Sequence, residues 1–199
     1  MEVGSFVEPR CCRAVYASGR NDEGCREAGG RVADPVVPSG GGVNQRAQIK
    51  MSETEIDAFL AERRPMTMCT LNHDGTIHAV AMWYSYVDGS IGIETKAKSQ
   101  KARNLARNPM MTCLFEDGDS YEELRGVELV GHAELVEDPD EIWAIGVSVF
   151  SRYNAPYTEE LRPFVELMLN NRNIYRLVVD RTVSWDHRKL GLGTVTPGA

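Results

Sequence analysis

The sequence lacks the features that would place it in several large classes of protein. Nowhere does it carry the roughly 18 consecutive apolar residues that a membrane helix requires. Its N-terminus also shows no basic start followed by an apolar run and a small-residue cleavage site. A cytoplasmic chain with no membrane partner is the expectation. Positive charge is in the minority, 22 Lys+Arg against 29 Asp+Glu for a net charge of −7. This balance argues against affinity for phosphate backbones, and so against nucleic acid as a partner. The five cysteines (11, 12, 25, 69 and 113) include no C-x-x-C pair and no histidine at zinc-finger spacing, which supports neither a disulfide framework nor a structural metal site. His73, His78, His132 and His187 form no i, i+4 pair on a helix, so no metal centre is expected from them either.

What remains is 199 residues with 42% hydrophobic content, enough for one packed core. Residues 1–41 are rich in Gly, Arg, Glu and Pro without periodicity, and read as a disordered extension that adds nothing to the fold. The domain is expected over 42–191, with 192–199 a loose tail. Ser52 and Glu55 form a capping box ahead of Ile56, Phe59 and Leu60, which predicts a helix stopped by Pro65. Strand-like runs at 66–71, 77–86 and 90–95 are separated by the turn dipeptides Asp74-Gly75 and Asp88-Gly89, which suggests an antiparallel meander. Cys69 and Cys113 fall within apolar strand-like runs and read as buried thiols.

A short helix over 99–107 closes at Asn108-Pro109 and leads into strands at 110–116 and 122–136, the latter with a change of phase near Gly126 or Gly131 that suggests a bulge. Amphipathic helices follow at 141–152 and 159–169, with Pro163 in the first turn of the second, and a last strand at 174–179. The class is mainly β with helices (α+β), an antiparallel barrel decorated by helices.

One segment carries chemistry. Residues 94–109 gather Lys96, Lys98, Lys101, Arg103 and Arg107 with no carboxylate after Glu94, in an otherwise acidic chain. Ser99 stands where a helix begins, so its hydroxyl, the free amides of the first turn and Lys101 converge on a point suited to an anion.

The order of strand, Thr95, short turn, Ser99-Gln100-Lys101, helix, Asn108-Pro109 and strand resembles the phosphate-binding element of the pyridoxamine-phosphate-oxidase-like split β-barrels. The likeness runs from about Gly42 to Gly191 and is nearest to the actinobacterial branch of deazaflavin-dependent reductases. It includes Ala81-Met82-Trp83-Tyr84, Arg125-Gly126-Val127-Glu128, Gly131-His132-Ala133-Glu134 and Ser184-Trp185-Asp186-His187-Arg188-Lys189-Leu190. The resemblance implies a cofactor site made of Met82, Trp83, Thr95, Lys96, Lys98, Ser99, Gln100, Lys101, Asn104 and Trp185. Thr95, Ser99 and Lys101 would hold a phosphate, the backbone around Trp83 would lie along a ring system, and Trp185 would reach the cofactor of the opposite protomer.

It further implies a homodimeric oxidoreductase that uses coenzyme F420, or alternatively FMN, on a small-molecule substrate. No catalytic side chain is assigned, because the cofactor carries the hydride chemistry. A non-catalytic flavin or deazaflavin carrier would need the same residues. Two departures separate the chain from the oxidases themselves: Gln100 replaces a phosphate-binding Arg, and Asp186-His187-Arg188 replaces the C-terminal Arg-x-His pair. Oxidation of pyridoxamine phosphate is therefore not expected.

Overall fold

The computed structural model describes residues 44–62 and 65–191. The expected N-terminal extension and C-terminal tail lie outside the described residues, as do Cys11, Cys12 and Cys25. A short helix α1 (Gln45–Gln48) precedes α2 (Glu53–Ala61), which starts as its capping box requires: the Ser52 amide donates to Glu55 Oε2 at 2.7 Å and the Glu55 amide to Ser52 Oγ at 3.3 Å. The strands are β1 (Met66–Leu71), β2 (Ile77–Met82), β3 (Ser85–Val87), β4 (Ser90–Lys96), β5 (Met110–Asp117), β6 (Arg125–Leu135) and β7 (Arg172–Asp186). Helix α3 (Gln100–Arg107) lies between β4 and β5, while α4 (Pro139–Tyr153) and α5 (Arg162–Leu169) lie between β6 and β7.

All seven strands join one antiparallel sheet in the order β2-β1-β5-β6-β7-β4-β3. This overturns the expected meander. The run 77–86 divides at Trp83 and Tyr84, so that β2 pairs with β1 while β3 pairs with β4 at the far edge of the sheet. Asp88 and Gly89 both adopt positive φ (49° and 75°), the geometry that a tight β3–β4 hairpin demands. The core is formed by the inward residues Met66, Met68, Ile91, Ile93, Cys113, Phe115, Val127, Tyr175 and Leu177, joined by Phe59 and Leu60 of α2 and Val149 of α4. Burial pushes the Cys113 thiol up to about 12, so it behaves as a small hydrophobe, whereas Cys69 is half-buried.

Three further expectations are corrected in extent. The last strand runs to Asp186 rather than Val179, which makes Ser184 and Trp185 strand residues. The segment 159–169 opens as a 3₁₀ turn (Glu159–Leu161) before α5, with Pro163 in the first turn of that helix. β6 begins at Arg125 rather than Glu122. The phase change resolves as a register shift at Val130/Gly131: Val130 faces Arg181 and Gly131 faces Val179, so Asp180 is the extra residue, carried by β7. Among the described residues no helix is long and apolar enough to cross a membrane.

Candidate functional site

The sheet delivers Thr95 to the end of β4, and the turn after it delivers Ser99 to the start of α3. Thr95 is buried, and its Oγ1 lies 3.1 Å from Ser99 Oγ. Ser99 Oγ in turn accepts the Ala102 amide at 3.2 Å, and the Ser99 amide closes the turn on the Lys96 carbonyl at 2.9 Å. The first-turn amides of Gln100 and Lys101 precede any intrahelical acceptor, so two hydroxyls, two amides and the positive end of α3 meet at one place. Lys101 stands half-buried beside it; desolvation, and then the neighbouring Arg172 guanidinium, hold its amine below the ordinary lysine range. A phosphate there would meet preformed donors and offset the cost of confining that ammonium.

The rest of the expected set divides. Asn104 is 0% exposed and its amide is fully used: Nδ2 donates to Thr70 Oγ1 (3.0 Å) and Asn72 Oδ1 (2.9 Å), while Oδ1 accepts from Gln100 Nε2 (2.9 Å) and Arg107 Nη2 (3.2 Å). It bolts α3 to β1 and has no polar atom left for a ligand. Gln100 spends its side chain on the same network. Lys96 and Lys98 are exposed and, with Arg172, line a cavity on the α5 side of the turn.

Met82 is half-buried at the end of β2, paired with Met66. Trp83 stacks in parallel on Tyr153 of α4, with ring centroids 4.7 Å apart and planes within 2°. The Tyr84 amide donates to Tyr153 Oη at 3.3 Å, so α4 fixes the break between β2 and β3. Trp185 lies over Gly126, its cross-strand partner. His187, the histidine nearest in sequence to this region, is tied to the Tyr121 carbonyl at 2.8 Å through Nδ1, with its ring 4.5 Å from the Tyr121 ring and tilted 58° to it. Among the described residues no group of three His, Cys, Asp or Glu side chains could hold a metal ion.

Sequence reasoning missed Arg172 and underused Glu94. Register alone brings them together: Arg172 sits opposite Lys96 at the start of β7, and its Nη1 approaches Glu94 Oε1 at 3.7 Å. No local pattern signals a pair 78 residues apart in sequence.

With the strand–turn–helix site in place, comparison identifies the class. Residues 52–186 match the family model described as pyridoxamine 5'-phosphate oxidase, and the chain belongs to that family. It is 52% identical to a conserved hypothetical protein of Mycobacterium tuberculosis over 79% of this chain and 98% of that one, with a TM-score of 0.75. The likeness agrees with the resemblance to the actinobacterial branch. More distant structures share the fold alone: a heme storage protein of Vibrio cholerae (18% identity, 66% of this chain, 94% of that chain, TM-score 0.53) and a FAD-binding protein of Mesorhizobium loti (14%, 68%, 93%, TM-score 0.51). Their different ligands show that the barrel does not dictate what is bound. No curated protein matches the chain.

Proposed function

We propose that the protein is a flavin-type oxidoreductase that binds coenzyme F420 and reduces a small unsaturated organic substrate. The observation that carries this reading is the junction of Thr95, Ser99 and Lys101 at the N-terminus of α3, a phosphate cradle built on a rigid strand and helix. When bound, the deazaflavin supplies the hydride chemistry; the protein's own residues bind, orient and exclude water. Lys96 and Lys98 favour F420 over FMN, because an exposed basic rim beside the cradle suits a phosphate followed by an acidic tail. FMN is the second reading, served by the same Thr95, Ser99 and Lys101.

The test is a fluorescence titration of the purified chain with each coenzyme. F420 is expected to bind at least tenfold more tightly than FMN, a difference of about 1.4 kcal/mol. The reverse order would favour the FMN reading, and no change with either coenzyme would remove both. Oxidation of the reduced coenzyme against quinones and enones then separates an enzyme from a carrier, which would bind without turnover.

A homodimer belongs to the same proposal. Among the described residues, Leu71, Ile77 and Met110 of β1, β2 and β5 are exposed around a shallow hollow of about 170 Å³, with Ile77 71% exposed. A second copy covering this face should bury more than about 2,000 Å² in total. Sedimentation at micromolar concentration should therefore give a dimer; a stable monomer contradicts this part of the proposal.

A further inference from the structure

The turn that carries Ser99 has a second side. There, Lys96 and Lys98 line a cavity of about 510 Å³ together with Arg172 of β7 and Leu167 and Met168 of α5. The backbone of the two rims is tied, since the Ala97 amide donates to the Asn171 carbonyl at 3.0 Å with Asn171 held at φ 57°. Three cations thus share a cavity whose lining contains no carboxylate, beside a leucine left 72% exposed.

The acid that answers these cations is behind them. Glu94 is 5% exposed on β4, touches Arg172 through Oε1 at 3.7 Å, and leaves Oε2 without a hydrogen-bond partner. A buried carboxyl with an idle oxygen is costly when ionised. Burial accordingly raises it to about 7, against the opposing pull of Arg172. The charged group that acts on it is Arg172 from β7, which in turn neighbours Lys101 of α3 and stands opposite Lys96 of β4. From α5 the cavity receives Leu167 and Met168, while Arg162 and Glu166 of that helix pair with each other at 3.6 Å.

We propose that this cavity is a carboxylate-binding subsite, separate from the Thr95–Ser99–Lys101 cradle, in which Arg172 anchors the carboxylate of a ligand with an aliphatic body and Glu94 is a positioning residue that competes for Arg172. The planar guanidinium suits a carboxylate, and Leu167 and Met168 cover methylene groups. Ionised Glu94 holds Arg172; protonated Glu94 releases it. Binding is therefore coupled to proton uptake and strengthens as pH falls through about 7. The carboxylate has two sources, an acidic tail on a deazaflavin seated in the neighbouring cradle or a separate organic acid, and only the first rests on the functional reading above.

Glutarate is the probe, measured by calorimetry on the full chain at pH 6 and pH 8, where its carboxylates are largely ionised. If binding needs protonated Glu94, the competent fraction falls from about 0.9 to about 0.1, and affinity should fall roughly ninefold. Glu94→Gln should bind at pH 8 as the wild type does at pH 6, with no pH dependence. Arg172→Gln should lose at least tenfold at both pH values, and Lys98→Ala, at an exposed position, about threefold. Equal wild-type affinity at the two pH values, a pH-dependent Glu94→Gln, or undiminished binding by the Arg172 and Lys98 variants would overturn the proposal. A tail-bearing coenzyme that outbinds a tail-less one only when Arg172 is present assigns the site to the coenzyme; glutarate binding unchanged on the coenzyme-loaded protein assigns it to a separate acid. Loss of all coenzyme binding with the glutarate results intact would reject the functional reading and leave the subsite standing.

Discussion

Lys101→Ala is expected to weaken coenzyme binding by roughly ten- to several-hundred-fold, because removing one charge-assisted partner of a phosphate in a partly desolvated site costs a few kcal/mol, at about 1.4 kcal/mol per decade. Ser99→Ala should weaken it less, since a neutral hydroxyl contributes about 1 kcal/mol net. It should also cost about 1 kcal/mol of stability, because Ser99 Oγ caps α3 and meets Thr95. The control must be a cation on the same helix with no structural task. Arg107 fails that requirement: it donates to the Leu71 carbonyl and to Asn104, so its loss would loosen α3 itself. Exposed Arg103 is the better choice. Equal and modest losses from Lys101→Ala and Arg103→Ala would reduce the segment to a diffuse basic patch, and the specific cradle would be wrong.

Signals that act within a few residues were readable. The Ser52–Glu55 box, the Asp88-Gly89 hairpin and the Ser99 cap each depend on atoms three or four residues apart, and each stands where the sequence puts it. What depends on register was not readable. The break at Trp83 and Tyr84 carries no Gly or Pro; it exists because Tyr84 is fully buried and bonded to Tyr153 of α4. β7 looked short because residues 179–182 around its bulge are exposed on both faces, which erases the alternation that marks a strand. In the candidate site, the junction of Thr95 with the Ser99 cap of α3 was legible as a local motif. The task of Asn104 was not, since a family motif shows that a residue recurs and not whether it touches a ligand or holds the helix that does.

Two glycines of β6 separate what the fold needs from what the site needs. A Cβ at Gly131 would lie 1.9 Å from the Val178 carbonyl oxygen and 2.9 Å from its carbon, both backbone atoms of the neighbouring strand at the bulge. Backbone in a paired strand cannot retreat cheaply, so Gly131→Ala should cost about 3 kcal/mol or more and lower the melting temperature by roughly 6–12 °C. A Cβ at Gly126 would instead fall 2.2 Å from Cζ2 of the Trp185 ring, a side chain that can swing aside. Gly126→Ala should therefore cost only about 1 kcal/mol but shift the tryptophan emission and, if Trp185 reaches a cofactor in the dimer, weaken coenzyme binding at least threefold. Thermal melts and coenzyme titrations on the two variants distinguish the roles. A Gly131→Ala protein that melts like the wild type would refute the close strand approach at the bulge. A Gly126→Ala protein with displaced emission and unchanged coenzyme affinity would remove Trp185 from the cofactor site, leaving it as packing between β6 and β7.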